Sequence, residues 1–393
     1  MKVRRPSAAL SCDETGDCHE ISRRTTRQPK RSPGLGQARL VCFVSMLLAL
    51  LRIQRMDLSR LAVAMGGETD VESRYRRLQR FFSEVYFDYD ALARLIISLF
   101  GFDREAFYLT LDRTNWQWGK KNLNLLTLGI VYKGAAIPVY WLVLNKKGNS
   151  SQRERIAMLK RFVGQFGSGY IRGILGDREF IGEDWWGWLN QQEIPFLIRM
   201  KGNQHYAFQC QQGRPVESLF RSLAIGESTV LRKPRHISGQ PVYLSALRLG
   251  DGELLILASN RKLADPLAVY SLRWEIEHLF QCLKGRGFNM EDTRITHYYR
   301  IKKMMALLAI AFCWAHKTGE WKAKVVKPLK IKNHGRPEKS LFRYGLDYLA
   351  DKLIGAIPDE PEMLRLLMLF WCPPSWIGKD AEGGNIRYPA GVL

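Results

Sequence analysis

Apolar and polar positions change period along the chain. From residue 40 to about 100 apolar residues recur at helical spacing. Asp57-Leu-Ser-Arg-Leu-Ala-Val-Ala-Met65 predicts a short amphipathic helix, ended by Gly66-Gly67. A second helix starts near Asp70 and runs through Arg74-Tyr-Arg-Arg-Leu-Gln-Arg-Phe-Phe82. From residue 106 the period becomes that of strands. Phe107–Asp112 predicts a strand ending in an acid; Leu125–Val131 and Ile137–Leu144 predict two more, joined by a Lys133-Gly134 turn. A helix follows from about Ser151 to Phe166, opened by the capping box Ser151-x-x-Glu154. Ile171–Asp177 predicts a fourth strand, again ending in an acid. A helix carrying Trp185, Trp186 and Trp188 leads to a fifth strand at Phe196–Arg199.

Residues 200–264 read as a β-rich insertion with strands at Glu227–Arg232, Pro241–Leu249 and Glu253–Ser259. The helical period returns at Tyr270–Lys284, a stretch without internal Gly or Pro. Pro266 stands just upstream, and Gly285 and Gly287 follow. Helices are also expected at Ile301–Ala315, Ser340–Ile357 and Pro361–Phe370. The pattern divides the chain into a basic flexible tail (1–39), a helical region (40–105), an α/β core (106–199 and 265–320) holding the insertion (200–264), and a basic, helical C-terminal region (321–393).

Composition adds a partner. The net charge is +22 over 393 residues, which favours a polyanion, most often nucleic acid. The apolar runs Leu40–Leu51 and Met304–Ala315 are shorter than the ~20 residues that span a bilayer. The seven cysteines form no Cys-x-x-Cys pair, which fits reduced thiols and a cytoplasmic protein. Cys12, Cys18 and His19 lack the partner pair of a zinc site. Residues 317–339 hold eight Lys or Arg against Glu320 and Glu338. Helix, glycine turn, basic helix at 57–82 is also the pattern of a helix-turn-helix. There Arg74, Arg76, Arg77 and Arg80 are candidate DNA contacts, or the solvated face of an ordinary helical hairpin.

On a wheel of about 100° per residue, Tyr270, Arg273, Glu277 and Lys284 fall within roughly 60° of arc. Leu272, Ile276, Leu279 and Leu283 form the neighbouring apolar stripe. An i, i+4 pair such as Arg273–Glu277 is by itself an ordinary solvated face. The spacing is more specific: two residues separate Tyr270 from Arg273, three separate Arg273 from Glu277, and six separate Glu277 from Lys284. It resembles the Tyr-Arg-Glu-Lys signature of DDE transposases of the insertion sequence 4 family. The resemblance runs from about residue 40 to 320. Singly, Asp112 could cap a turn and Asp177 could N-cap the next helix. Glu179 is expected to be an outer or surface group.

The resemblance implies an α/β fold with a ribonuclease-H-like core and β-rich insertion, preceded by an all-α DNA-binding region. It implies Asp112, Asp177 and Glu277 as catalytic metal ligands for Mg²⁺, with Mn²⁺ able to substitute. Tyr270, Arg273 and Lys284 would contact DNA phosphates. The partner would be double-stranded DNA, bound by a homodimer that cleaves element ends and joins the 3′-hydroxyls to a target, with no membrane. Three carboxylates suit hard divalent ions, which need no nucleophilic side chain. The chain has no His-Glu-x-x-His, Gly-x-Ser-x-Gly or P-loop motif. The rival readings are a DNA-binding regulator that occupies ends without cutting, and a metal nuclease of the same fold.

Overall fold

Four helices open the part of the chain that the computed structural model describes, residues 36–354 except 209, 210 and 334. The expected basic tail up to residue 35, with Cys12, Cys18 and His19, and the expected helix at Pro361–Phe370 lie outside the described residues. Helix α1 (Gln37–Ile53) buries Phe43, Met46, Leu47, Leu50 and Leu51, so one face of the apolar run at 40–51 is core, while Leu40, Val41 and Val44 are exposed. Helix α2 (Leu58–Ala64) is capped by Asp57, which accepts from the Ser59 and Arg60 amides. Gly66 and Gly67 turn the chain with φ of 63° and 96°. Helix α3 (Val71–Glu84) is capped by Asp70 and buries Leu78, Phe81 and Phe82. Helix α4 (Tyr89–Phe100) is capped by Asp88.

The sheet begins with three antiparallel strands, β1 (Phe107–Trp118), β2 (Lys121–Tyr132) and β3 (Ala135–Leu144). β2 is buried from Leu123 to Ile130, as a strand covered on both faces must be. Helix α5 (Gln152–Phe166) carries the expected capping box of Ser151 and Glu154. Strand β4 (Ile171–Gly176) pairs parallel to β1. Helix α6 (Glu183–Gln191) buries Trp185 and Trp186. Strand β5 (Phe196–Arg199) lies parallel to β4.

The stretch read as an insertion continues this sheet. It supplies β6 (His205–Phe208), β7 (Gln211–Pro215), β8 (Ser228–Val230), β9 (Arg235–Ile237), β10 (Gln240–Arg248) and β11 (Leu254–Ser259). The order is β3-β2-β1-β4-β5-β11-β10-β9-β6-β7, with β8 beside β10. β11 docks antiparallel on β5. The result is a mixed α/β fold with a large, mostly antiparallel sheet. Among these strands β6, β7 and β9 had no clear signal, being short and weakly alternating.

The stretch Tyr270–Lys284 is two helices, not the single one expected. Helix α7 (Pro266–Ser271) starts with Pro266 at its first turn under an Asp265 cap. Helix α8 (Trp274–Leu283) follows. Between them the backbone changes to tighter bonds three residues back, from Leu272 N to Val269 O, Arg273 N to Tyr270 O and Glu275 N to Leu272 O. No Gly or Pro marks this tightening, so the sequence pattern passes straight through it.

Helix α9 (Tyr298–Trp321) lies almost wholly buried, and helix α10 (Leu341–Ile354) packs on it. Among the described residues no helix is long and apolar enough to cross a membrane. His316 of α9 sits against the rings of Phe100, Tyr132 and Phe312, and neither ring nitrogen has a hydrogen-bond partner. Burial pushes its pKa down to about 4. The folded state therefore keeps His316 neutral where an unfolded chain takes up a proton near pH 6.5. Its contribution to stability is complete above that pH and is lost as pH falls toward about 4. Lowering the pH from 7 to 4.5 should cost about 2–3 kcal/mol through this residue. His316→Phe should flatten that pH dependence in denaturant titrations; an unchanged slope would assign the acid sensitivity elsewhere.

Candidate active site

The parallel register of β1 and β4 ends at Leu111↔Gly176. The next residues are Asp112 and Asp177, so the two acids follow the last parallel pair on neighbouring strands. Asp112 does not end its strand as expected. β1 runs on to Trp118, because β2 continues to pair with it. Asp177 stands at the start of the short turn Arg178–Phe180, yet its side chain makes no capping hydrogen bond. Its Oδ1 is buried without a partner. A simple helix cap is thus not what holds Asp177.

Helix α8 brings Glu277 to the same place through Arg273. The guanidinium donates to Glu277 Oε1 at 2.6 Å and lies 3.4 Å from Asp112 Oδ2. The Arg273 side chain is only 4% exposed, so both pairings act in a poorly screened setting. Burial pushes Asp112 up to about 6. The Arg113 amide and Arg273 pull it down, while Asp177 and Glu179 push it up again. Among the described residues no three His, Cys, Asp or Glu side chains stand close enough to hold one metal ion. The guanidinium of Arg273 stands between two of the candidates.

The other expected site residues are placed as follows. Tyr270 is buried, its hydroxyl without a partner, beside Leu175, Leu197 and Leu257. Burial pushes that phenol well above its usual range. Arg273 stacks over Tyr270 and Trp274 at 5.6 and 5.0 Å. Lys284 donates to the Asn115 carbonyl on β1 and pairs with Glu291 at 2.6 Å. The N-terminal arginines separate into two kinds. Arg74 ties the α2–α3 turn, donating to the carbonyls of Ala62, Gly67 and Thr69. Arg76 pairs with Glu72, Arg77 donates to Ala38 O, and Arg80 is exposed.

Residues that the sequence reading did not single out brace the two acids together with Glu179, which is largely buried as an outer partner and not on the surface. Arg113, directly after Asp112, pairs with Glu179 at 3.1 Å, both being more than four-fifths buried. Arg113 also donates to Asn124 and Asn149. Ser150 donates to Glu179 and accepts from Arg155. Arg178, directly after Asp177, pairs with Glu253, which Arg199 also reaches at 3.0 Å. The repeated dipeptide Asp-Arg was the available signal: each acid is followed by a cation tied down elsewhere.

Glu275 does something different from Glu277. Its Oε2 accepts from the Tyr132 amide at 2.6 Å and its Oε1 from the Gly134 amide at 2.9 Å. It clamps the β2–β3 turn, where Lys133 and Gly134 have φ of 47° and 88°.

Residues 104–314, more than half of the chain, match the family model described as the transposase DDE domain. No curated protein matches. Among solved structures the chain is similar to the cryo-EM structure of the piggyBac transposase synaptic complex with hairpin DNA. The two are 12% identical, with 93% of this chain and 82% of that chain covered and a TM-score of 0.44.

Proposed function

The chain belongs to the DDE-domain transposases, and from that premise we propose that it cleaves DNA at the ends of its own insertion sequence and joins the 3′-hydroxyl ends to target DNA. The observation that carries this reading is the β1–β4 register, which sets Asp112 beside Asp177, with Glu277 reaching Asp112 through Arg273. The strand order β3-β2-β1-β4-β5 supports a ribonuclease-H-like core. The Tyr270-Arg273-Glu277-Lys284 spacing supports the insertion sequence 4 group.

By their chemistry the three acids would suit Mg²⁺ or Mn²⁺ once Arg273 gives up its place between Asp112 and Glu277. Three carboxylates are hard oxygen ligands, and the orphaned Oδ1 of Asp177 is a buried acceptor that a cation would satisfy. Asp112, Asp177 and Glu277 would hold the ions. When bound, such ions make water or a 3′-hydroxyl a better nucleophile and offset charge on the leaving oxygen. The chain's own groups set the geometry. Arg113–Glu179 and Arg178–Glu253 fix the residues next to each acid. Arg273 neutralises Asp112 and Glu277, and a phosphate offers its guanidinium a competing anion. Arg76, Arg77 and Arg80 lie on the outer side of α3, where the partner would be duplex DNA held by a homodimer.

The test is cleavage of a labelled duplex carrying the DNA that borders the coding region. Asp112→Asn and Asp177→Asn should each keep binding and lose cleavage in Mg²⁺ and Mn²⁺. Cleavage that persists in EDTA would overturn the metal mechanism. Binding without cleavage by the unmodified chain in either ion would leave a DNA-binding regulator.

A further inference from the structure

The parallel pairing of β1 with β4 stops at Leu111, but β1 and β2 stay paired to Trp118↔Lys121. β3 stays beside β2 as far as Asn124, opposite Asn115, so past the acids three strands run together first and a two-stranded ribbon continues from Trp116↔Leu123 to the tip. It closes through Gly119 and Lys120, with Gly119 at φ 55° and the Gln117 amide donating to the Gly119 carbonyl. A two-residue closure with a positive-φ glycine gives a fixed tip.

The tip is exposed, basic and aromatic. Trp118 is 39% exposed, and Lys120 and Lys121 are exposed beside it. From Arg113 to Leu126 there is no acidic residue, while Asn115 and Gln117 are exposed amides. By strand alternation Trp118 lies on the same face of β1 as Asp112. The inner part of that face is filled by Thr114 and Trp116, both buried, so Trp118 is the first large side chain on it left to solvent.

We propose that the tip of the β1–β2 hairpin enters a groove of the substrate duplex beside the cleavage point, with Lys120 and Lys121 on phosphates and Trp118 against the groove wall. This rests on the active-site reading above. A major groove admits a two-stranded ribbon. Six residues of strand span about 20 Å. At 3.4 Å per base pair the tip can touch DNA no more than about six base pairs from the phosphate cleaved beside Asp112. The ribbon thus sets which stretch of flanking duplex lies against the protein while the acids act.

The test uses the full chain and a short labelled duplex carrying the DNA that borders the coding region. The double variant Lys120→Ala, Lys121→Ala should lower the slope of log affinity against log salt by about two. Trp118→Ala should weaken binding about tenfold, and Trp118→Phe should restore most of it. Hydroxyl-radical protection should disappear within about six base pairs of the cut and persist elsewhere. Unchanged slope, affinity and footprint would overturn the proposal. So would a change from dimer to monomer in sedimentation, which would make the hairpin a contact between copies. If Trp118→Ala does not fold, the lysine variant and Trp118→Phe decide. Asp112→Asn should keep the wild-type salt slope. Lost cleavage of the unmodified chain with the lysine effect intact would remove the active-site reading and leave the groove contact standing.

Discussion

Glu277→Gln should bind element ends as the unmodified chain does and cleave them at least about a thousandfold more slowly, equivalent to ~4 kcal/mol of barrier. The amide keeps the shape of Glu277 but gives up the charge that a hard cation needs. It also unbalances Arg273, which would keep Asp112 as its remaining carboxylate partner. Glu275→Gln, two residues earlier, should behave differently. Its carboxylate is engaged by the amides of Tyr132 and Gly134 at the β2–β3 turn, away from Asp112. Weakening those two bonds should cost about 1–2 kcal/mol of stability and leave the cleavage rate within about threefold. The measurement is cleavage of a labelled end fragment by both variants, with binding measured alongside. An active Glu277 variant and a dead Glu275 variant would show that the helix register, and the triad with it, is misassigned.

Gly345→Ala should be strongly destabilising, costing about 3 kcal/mol. Gly345 on α10 and Gly319 on α9 stand at the crossing of the two helices. A Cβ on Gly345 would fall inside contact distance of the Ala315 carbonyl oxygen, and one on Gly319 would meet the Leu341 carbonyl oxygen. Both obstacles are backbone, which no rotamer change can move. The crossing also seats Phe342 against Phe288 and Phe312, at ring separations of 5.6 and 5.0 Å. Helix α1 packs on α10, so a parted crossing would loosen the N-terminal helices too. Gly164→Ala in α5 is the matched control, because no atom lies within 4 Å of its added methyl. There the same change should stabilise by about 0.5–1 kcal/mol. Denaturant titrations of both variants give the comparison. Equal stabilities would mean that the crossing relaxes freely and that its closeness is not required.

Several features were determined by the sequence itself. Helix starts are local chemistry, so the Ser151–Glu154 box and the starts near Asp57 and Asp70 could be read directly; the structure adds that Asp57 and Asp70 are themselves the caps. The alternation of strands and helices from Phe107 to Arg199 was equally legible, because burial of one face imposes its period on the residues. The acids Asp112 and Asp177 were visible as candidates for the same reason: a carboxylate at the end of an apolar run is conspicuous.

Other features only the tertiary structure decided. Asp112 lies within β1 rather than at its end because a partner strand, not β1's own composition, extends the pairing to Trp118. The tightened turn at Leu272–Arg273 has no local marker; it accompanies the burial of Tyr270 and Arg273 among residues far away in sequence. Glu275 and Glu277 look alike along the chain. They part only because one faces the β2–β3 turn and the other faces Arg273 and Asp112. The bracing of Asp112 and Asp177 by Arg113–Glu179 and Arg178–Glu253 spans 66 and 75 residues. Ion pairs at that separation leave no periodic trace. They depend on where the sheet sets its strands side by side, which is a property of the folded chain as a whole.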